Sequence, residues 1–195
     1  MTAAQARRPG GRSARVREAV RAAVLGELAE HGFDVLTVDA VAARSGVHRT
    51  TIYRRWTDVG GLLADALDAS GGDGWEPPDT GSLAGDLVEL NRQVHAALVE
   101  EPSVAGAVIA ASFRSEQAAG ALRAFWADRY ARCAVVVERA VGRGELAAGT
   151  APMPVLIAAT APLFHHHMLL GTPLTGDQVD AYALAASYSS RQAVR

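Results

Sequence analysis

The sequence predicts an all-α protein in which an N-terminal three-helix, helix-turn-helix region precedes a larger set of helices. Two observations support this prediction. Apolar residues recur at three- and four-residue steps along most of the 195-residue chain, and no useful stretch shows the alternation of a half-buried strand. Glycine, proline and capping residues separate the periodic segments at intervals that suit helices joined by short turns.

The first region contains the signals of three helices, of which the second is short. The first helix has a four-residue apolar repeat, formed by Val16, Val20, Val24 and Leu28. Gly32 is predicted to end it, and Thr37 is a plausible N-cap for the second helix. Gly46 provides the permissive backbone of a tight turn, after which residues 48–56 form the third helix. This order of elements predicts a helix-turn-helix.

The third helix divides into an apolar side and a polar side. At about 100° per residue, Ile52 and Trp56 share the side that faces the other helices. The opposite side carries Arg49, Thr50, Tyr53 and Arg54. Such side chains are the hydrogen-bond donors that phosphates and base edges require, so the exposed side predicts a contact with nucleic acid.

Charge is unevenly distributed along the chain. Residues 1–58 contain ten arginines and six acidic residues, a net charge of +4, whereas the remainder of the chain carries −6. All 19 basic residues are arginine. A basic first third on an acidic body favours a localised contact with a polyanion.

Other classes of protein find less support. The chain contains no nucleophile elbow, phosphate-binding glycine loop, H-E-x-x-H motif or cysteine cluster. A His-dependent enzyme, with an acid such as Glu138, remains an alternative. The longest apolar runs reach about half of the roughly 20 residues that a membrane span needs. With the single Cys133, these observations predict a soluble, cytoplasmic protein without a cofactor or metal.

The segment GFDVLTVDAVAARSGVHRTTIYRRWTDVGGLLADAL, Gly32 to Leu67, resembles the DNA-binding domain of the tetracycline-repressor (TetR) family. The resemblance implies a homodimeric transcriptional regulator, usually a repressor, that a small ligand releases from a palindromic, double-stranded operator. A DNA-binding regulator without a ligand is the alternative within this class.

The resemblance also implies roles for individual residues. By position, the base-reading residues are Arg49, Thr50 and Tyr53, and those on phosphates are Thr37 and Thr51. Candidates with open roles are His48, Arg54 and Arg55. The family places a phosphate-binding lysine at the start of the fourth helix, but this chain has Val59 there, followed by two glycines.

Four segments are expected. They are a flexible basic arm at 1–13, a helix-turn-helix DNA-binding domain at 14–68, a linker at 69–82, and a helical ligand-binding and dimerisation domain at 83–195. The linker is rich in glycine and proline. In the last segment, Thr175 and Gln178 have the spacing of a capping box before the final helix.

Two sites are predicted in the C-terminal segment. A cavity for a hydrophobic small molecule would be lined by Leu98, Phe113, Phe125, Trp126, Tyr130, Phe164 and His165, although these residues could equally fill a core. In the family the last two helices form a four-helix dimer interface. The corresponding residues here are Ile157, Ala161, Phe164, Met168, Val179, Tyr182 and Ala186, for which an intramolecular core is the alternative. Consecutive histidines 165–167 point about 100° apart, so they cannot all bind one metal ion from a helix.

Overall fold

The computed structural model describes residues 11–72, 75–100 and 104–192, and within these ranges all regular structure is helical. The prediction of an all-α fold is confirmed. The α-helices of the described part are α1 (Gly11–His31), α2 (Val38–Ser45), α3 (Arg49–Tyr53), α4 (Val59–Gly72), α5 (Leu83–Val99), α6 (Val104–Ser112), α7 (Glu116–Gly142), α8 (Pro152–Phe164) and α9 (Gly176–Gln192). A 3-10 turn at Phe33–Val35 follows α1, and a π-helical turn at His165–Leu170 continues α8.

Local capping chemistry defines the helix-turn-helix. The Thr37 hydroxyl accepts a hydrogen bond from the Ala40 backbone N–H at 3.0 Å, which fixes the start of α2. Gly46 ends α2 in the left-handed conformation, with φ of 67°. Because a side chain at that φ would be strained, glycine is the residue that allows the sharp turn into α3. Both predictions from the sequence, the Thr37 cap and the Gly46 turn, are confirmed.

Helix α4 closes the first region against α1. The Asp58 carboxylate accepts a hydrogen bond from the Gly61 backbone N–H at 2.8 Å at the start of α4. Further along, Asp65 receives hydrogen bonds from Arg17 and Arg21 of α1. Helix α4 then runs to Gly72. The predicted linker boundary at residue 69 was therefore too early, because helical structure extends past the end of the apolar repeat.

The first hydrophobic core extends beyond α1 to α4. Val24, Val41 and Ile52 are fully buried in it, together with Ala111 of α6 and Ala118 of α7. The start of α7 therefore packs directly on the helix-turn-helix region. The domain division expected at residues 69–82 remains a proposal about organisation, since one continuous core crosses it.

Helices α5, α8 and α9 pack with the second half of α7 around a separate core. The buried Asn91 of α5 donates hydrogen bonds to the carbonyl oxygens of Ala159 and Val179, which ties three helices together. At the start of α9, the Thr175 N–H donates to Gln178 Oε1, and the Gln178 N–H donates to Thr175 Oγ1. The predicted capping box is confirmed.

The α8 segment continues without a break into the π-helical turn, which ends at Gly171. The π-helical turn carries the helix through the three histidines, so that Pro152–Leu170 forms a 19-residue stretch with a mean hydropathy of 1.2. By length and composition alone this stretch could span a membrane. The apolar run at residues 155–164 has about half the length of a span, as expected, but the helix that contains it is longer because it continues through the histidines to Leu170. Less than a third of the stretch is buried.

Candidate DNA-binding surface, ligand cavity and apolar face

Helix α3 begins at Arg49, one residue later than the sequence predicts, because His48 is its N-cap. The Nδ1 atom of His48 accepts a hydrogen bond from the Thr50 backbone N–H at 3.4 Å and lies 2.9 Å from Thr50 Oγ1. The sequence left the role of His48 open. In the structure it takes the place of a serine or threonine cap and fixes the direction of a five-residue helix.

The buried side of α3 holds it against the core. Ile52 is fully buried on α3, and Trp56 is nearly buried just beyond it. Both predicted apolar residues thus face the core, but the predicted end of the helix at residue 56 was wrong, because the helix ends at Tyr53 and a turn follows it. The opposite side presents Arg49, Thr50, Tyr53 and Arg54, all exposed, with Thr51 half-buried beside them. Donor groups thus lie together on one solvent-facing surface, which we call the α3 surface.

Arg49 is weakly restrained. Its Nη1 atom lies 3.5 Å from Asp39 Oδ1, and both side chains are more than half exposed. An ion pair of this kind contributes little in water, so the guanidinium can exchange Asp39 for another acceptor.

Two other arginines have structural roles that the sequence does not reveal. Arg55 donates a hydrogen bond to Ser13 Oγ at 2.8 Å and lies over the Trp56 ring, so it is turned back toward α1. Arg44 forms ion pairs with Glu27 and Glu30 and thereby ties α2 to α1. Part of the positive charge of the first region is therefore neutralised internally.

The start of α4 contacts α7. Val59 is half-buried and packs against the first core. A Cβ atom on the buried Gly60 would lie 2.5 Å from Gln117 Cβ of α7, so glycine permits this close approach of the two helices. Gln117 also donates a hydrogen bond to Asp58 Oδ2 at 3.1 Å. The glycine that departs from good helix chemistry thus lies where α4 and α7 touch.

A cavity of about 440 Å³ lies among α5, α7 and α8. Its walls include the predicted residues Leu98, Phe125, Trp126, Tyr130 and Phe164. The other two predicted residues do not line it. Phe113 lies at the end of α6 with 81% of its surface exposed, and His165 lies exposed on the π-helical turn.

Trp126 is the centre of the cavity's aromatic wall. The centroid of its ring lies 5.3 Å from the ring centroid of Phe125, 5.6 Å from that of Tyr130 and 5.3 Å from that of Phe164. Cys133 also lines the cavity, and burial raises the pKa of its thiol to about 11. The thiol therefore stays protonated at neutral pH and acts as an apolar group.

Sequence reasoning missed several lining residues, including Trp75, Gln93, Arg129 and Thr160. A signal for Arg129 exists in the sequence. It stands four residues after Phe125 and four before Cys133, the spacing of residues on one helical face. Trp75 lies outside any helix, so periodicity could not have assigned it to the cavity.

The predicted interface residues on α8 and α9 separate into two groups. Ile157 and Ala161 are exposed on α8. Val179 and Ala186 are buried inside this chain. Predicting them as interface residues was therefore wrong, because their side chains face the core of their own chain. The remaining three are half-buried, with Phe164 on the cavity and Tyr182 hydrogen-bonded to His166 Nε2 at 2.9 Å; the third is Met168.

The exposed side of α9 is displaced by two residues from the predicted one. Together with α8 it forms a surface that we call the apolar face, comprising Met153, Ile157, Ala158, Ala161, Ala181, Leu184, Ala185 and Tyr188. Half of the Leu184 surface and 63% of the Tyr188 surface are accessible. Apolar surface of this extent along two neighbouring helices is typical of a contact with another protein.

The three histidines do not converge. His166 lies 3.0 Å from Thr172 Oγ1 through Nδ1, in addition to its contact with Tyr182. Across the described residues, no group of three histidine, cysteine or acidic side chains has a metal-binding arrangement. His166 serves to connect the π-helical turn to α9.

Comparison with known proteins gives consistent results. The model of bacterial regulatory proteins of the tetR family matches residues 21–66, and that of the tetracyclin repressor-like C-terminal domain matches residues 77–186. A DNA-binding transcriptional repressor, TetR, of Mycobacteroides abscessus is 35% identical over 164 residues, 80% of this chain and 83% of that protein. An HTH-type transcriptional regulator of Mycobacterium tuberculosis is 30% identical over 155 residues, 79% of this chain and 77% of that protein.

A solved structure, the TetR family transcription regulator SCO0332, matches with a TM-score of 0.72 at 25% identity, covering 89% of this chain and 97% of that one. The capped helix-turn-helix and the helical domain packed on it define the class of two-domain, DNA-binding transcriptional regulators. The chain belongs to the tetR family of bacterial regulatory proteins, whose members bind operator DNA as dimers and are soluble.

Proposed function

We propose that this chain is a homodimeric repressor that acts in the cytoplasm. Two copies associate through the apolar face, and each places its α3 surface in the major groove of one half of a pseudo-palindromic operator. A hydrophobic small molecule in the cavity lowers the affinity for DNA. The repressor named TetR among the relatives supports the direction of regulation.

The observation that carries the proposal is the α3 surface itself. Arg49, Thr50 and Tyr53 are exposed side by side on a capped helix whose other side is anchored by Ile52, with the buried Trp56 just past its end. Arginine binds guanine bidentately, and threonine and tyrosine bind phosphates or base edges. Thr37 uses its oxygen as a cap, and its hydroxyl hydrogen remains able to donate to a phosphate.

The apolar face supports self-association. It lies on two adjacent helices and carries small alanines between larger side chains, which permits the close approach of a four-helix arrangement. A second copy would also cover the exposed part of Pro152–Leu170, whose composition alone would suit a membrane. Because a two-fold axis relates the copies, each α3 would face one half-site.

The contact between α4 and α7 supports a link between the cavity and the DNA-binding surface. Phe125 and Trp126 of α7 line the cavity, and Gln117 near the start of the same helix meets Asp58 and Gly60. A ligand that shifts α7 would therefore move α4 and, through the shared core, the α3 surface. A ligand that binds one arrangement of these helices more tightly changes the affinity for the operator, and the operator changes the affinity for the ligand by the same coupling free energy.

A binding experiment tests the proposal. Sequences that the protein retains from a random DNA pool would be identified, and the selected and scrambled duplexes titrated over several salt concentrations. We expect a dyad-symmetric selected site and an affinity for it at least about 1,000-fold above the scrambled duplex. Retention without sequence preference would contradict the proposal, as would binding that does not weaken with salt.

A further inference from the structure

Arg129 is unusual among the residues that line the cavity. It is the one charged side chain among the sixteen described lining residues, and it is half-buried on α7 between aromatic groups. None of those sixteen residues is acidic. A cation therefore faces a cavity whose lining supplies no counter-charge.

The contacts of Arg129 leave its donors unused. Its guanidinium carbon lies 3.9 Å from the centroid of the Trp75 ring and 5.4 Å from that of Phe125. Ring faces hold a cation but provide no oxygen for its five N–H groups. Within the described ranges, the structure records no hydrogen bond or ion pair for this side chain. Burial also lowers the pKa of the guanidinium, which remains charged at neutral pH.

Arg132, one helical turn later, has the opposite arrangement. It also lies near Trp75, at 5.2 Å from the ring. However, its guanidinium donates to the Trp75 carbonyl oxygen and forms a long ion pair of 4.0 Å with Asp128. The chain thus provides acceptors for Arg132 and leaves those of Arg129 to be supplied from the cavity.

Several other polar groups of the lining already have partners. Trp75 Nε1 donates to Gln93 Oε1 at 2.9 Å, and Gln93 Nε2 donates to Glu89 at 3.0 Å. Thr160 Oγ1 donates to the Leu156 carbonyl oxygen at 3.0 Å. The cationic donor of the described lining that remains without an acceptor is therefore the Arg129 guanidinium, next to a broad aromatic wall.

We propose that the effector is an aromatic or bulky apolar monoanion, whose rings occupy the aromatic wall and whose anionic oxygens accept hydrogen bonds from Arg129. This inference rests on the proposed use of the cavity as the effector site. Desolvating a guanidinium is costly, and an anion that binds it bidentately offsets that cost. A neutral ligand of the same shape would leave the positive charge of Arg129 without a counter-charge.

Two fluorescent probes test the inference, since they share one ring system and differ by one sulfonate group, which carries the negative charge. The anion is 8-anilinonaphthalene-1-sulfonate, and its neutral counterpart is N-phenyl-1-naphthylamine. We expect the unmodified protein to bind the anion more tightly at one site per chain. Arg129→Met should weaken binding of the anion at least about 10-fold and that of the neutral probe less than about twofold. Arg129→Lys should recover part of the loss.

Arg132→Met is the matched control, because it removes an arginine near the same ring but outside the cavity lining. It should leave the ratio of the two affinities unchanged. The inference is overturned if Arg129→Met weakens both probes equally, if it leaves anion binding unchanged, or if the unmodified protein binds neither probe. Operator affinity without a probe should be the same for Arg129→Met and the unmodified protein, so failure of DNA binding would be seen separately.

Discussion

The α3 surface and the apolar face are both exposed, yet they are built from opposite kinds of side chain. Arg49, Thr50 and Tyr53 can remain hydrated when no partner is present, so their exposure costs the folded chain little. Leu184 and Tyr188 leave apolar area in water, at about 25 cal/mol for each Å². The difference indicates a reversible partner for the first surface and a lasting one for the second.

The two surfaces also differ in how they are held. The α3 surface lies on a helix of five residues, positioned by the His48 cap and by the buried Ile52. The apolar face lies on two helices of 13 and 17 residues that share a core. Consequently, changes around α3 should affect DNA binding alone, whereas changes on the apolar face should affect assembly first and DNA binding as a result.

The largest effect is expected from Ile157→Glu. A carboxylate at this position, where 42% of the side chain is exposed, would be buried unpaired in the proposed dimer. Sedimentation at micromolar concentration should show a monomer, and operator affinity should fall more than about 100-fold because one α3 surface acts alone. Phe113→Glu, an exposed apolar residue outside the apolar face, should leave both quantities unchanged. Dimers that persist in Ile157→Glu would refute the assignment of the face.

Arg49→Ala should come next in size. Losing a bidentate contact to a base should weaken operator binding by about 1 to 3 kcal/mol and relax preference at one position in each half-site. Titration of the operator and of single-base variants measures both effects. Equal weakening on operator and scrambled DNA would mean that Arg49 contacts only phosphate. The α3 surface would then not read base sequence through this residue.

Asp65→Ala tests the support beneath the α3 surface. Asp65 is nearly buried, and its loss leaves Arg17 and Arg21 without their shared carboxylate, which should cost about 1 to 2 kcal/mol in the free energy of unfolding. Burial raises the pKa of Asp65, but the hydrogen bonds from the two arginines outweigh it, so the net pKa is lowered.

The sign of the pH dependence follows from that lowered pKa. The contribution of Asp65 is fully present above its unfolded pKa of about 3.9 and is lost as the pH falls through the lower folded value. Denaturant unfolding of both proteins should therefore show a stability difference that is constant near pH 7 and shrinks below about pH 4. A difference that grows on acidification would contradict the assigned ion pairs.

The smallest effects are expected from neighbouring glycines at the α4–α7 contact. Gly60→Ala would place its Cβ against Gln117 and should destabilise the chain by about 1 kcal/mol. Gly61→Ala meets only ordinary contacts, so the better helix propensity of alanine should stabilise by about 0.5 to 1 kcal/mol. Thermal unfolding of both variants checks the opposite signs. Stabilisation by Gly60→Ala would mean that α4 and α7 are not closely packed there.

The helix-turn-helix could be predicted from the sequence because its signals are local. The Thr37 cap and the Gly46 turn each depend on neighbours within a few residues, and the apolar side that carries Ile52 follows from helical spacing. The roles of Arg44 and Arg55 could not be predicted, because their partners Glu30 and Ser13 lie on α1, at sequence separations of 14 and 42 residues.

The C-terminal half was predicted less completely because its contacts join residues that are distant in sequence. Apolar periodicity identifies a helix with a core side, but it does not show which of two apolar sides meets the same chain. On α9, Val179 and Ala186 were predicted to lie on the interface, but they are buried within the chain. The exposed apolar residues of this helix are Leu184 and Tyr188. The aromatic residues of α7 line the cavity, as the sequence predicted, whereas Phe113 does not. Only tertiary packing distinguishes these cases.

The central claim is that two copies joined through the apolar face present two α3 surfaces to one DNA site. Footprinting of the selected operator, with the number of chains per duplex measured by sedimentation, tests it most directly. We predict two chains and a dyad-symmetric footprint whose half-site centres are at least about one turn, roughly 34 to 36 Å, apart. Ile157→Glu should lose this protection. An asymmetric footprint, one chain per duplex, or an unchanged footprint with Ile157→Glu would contradict the claim.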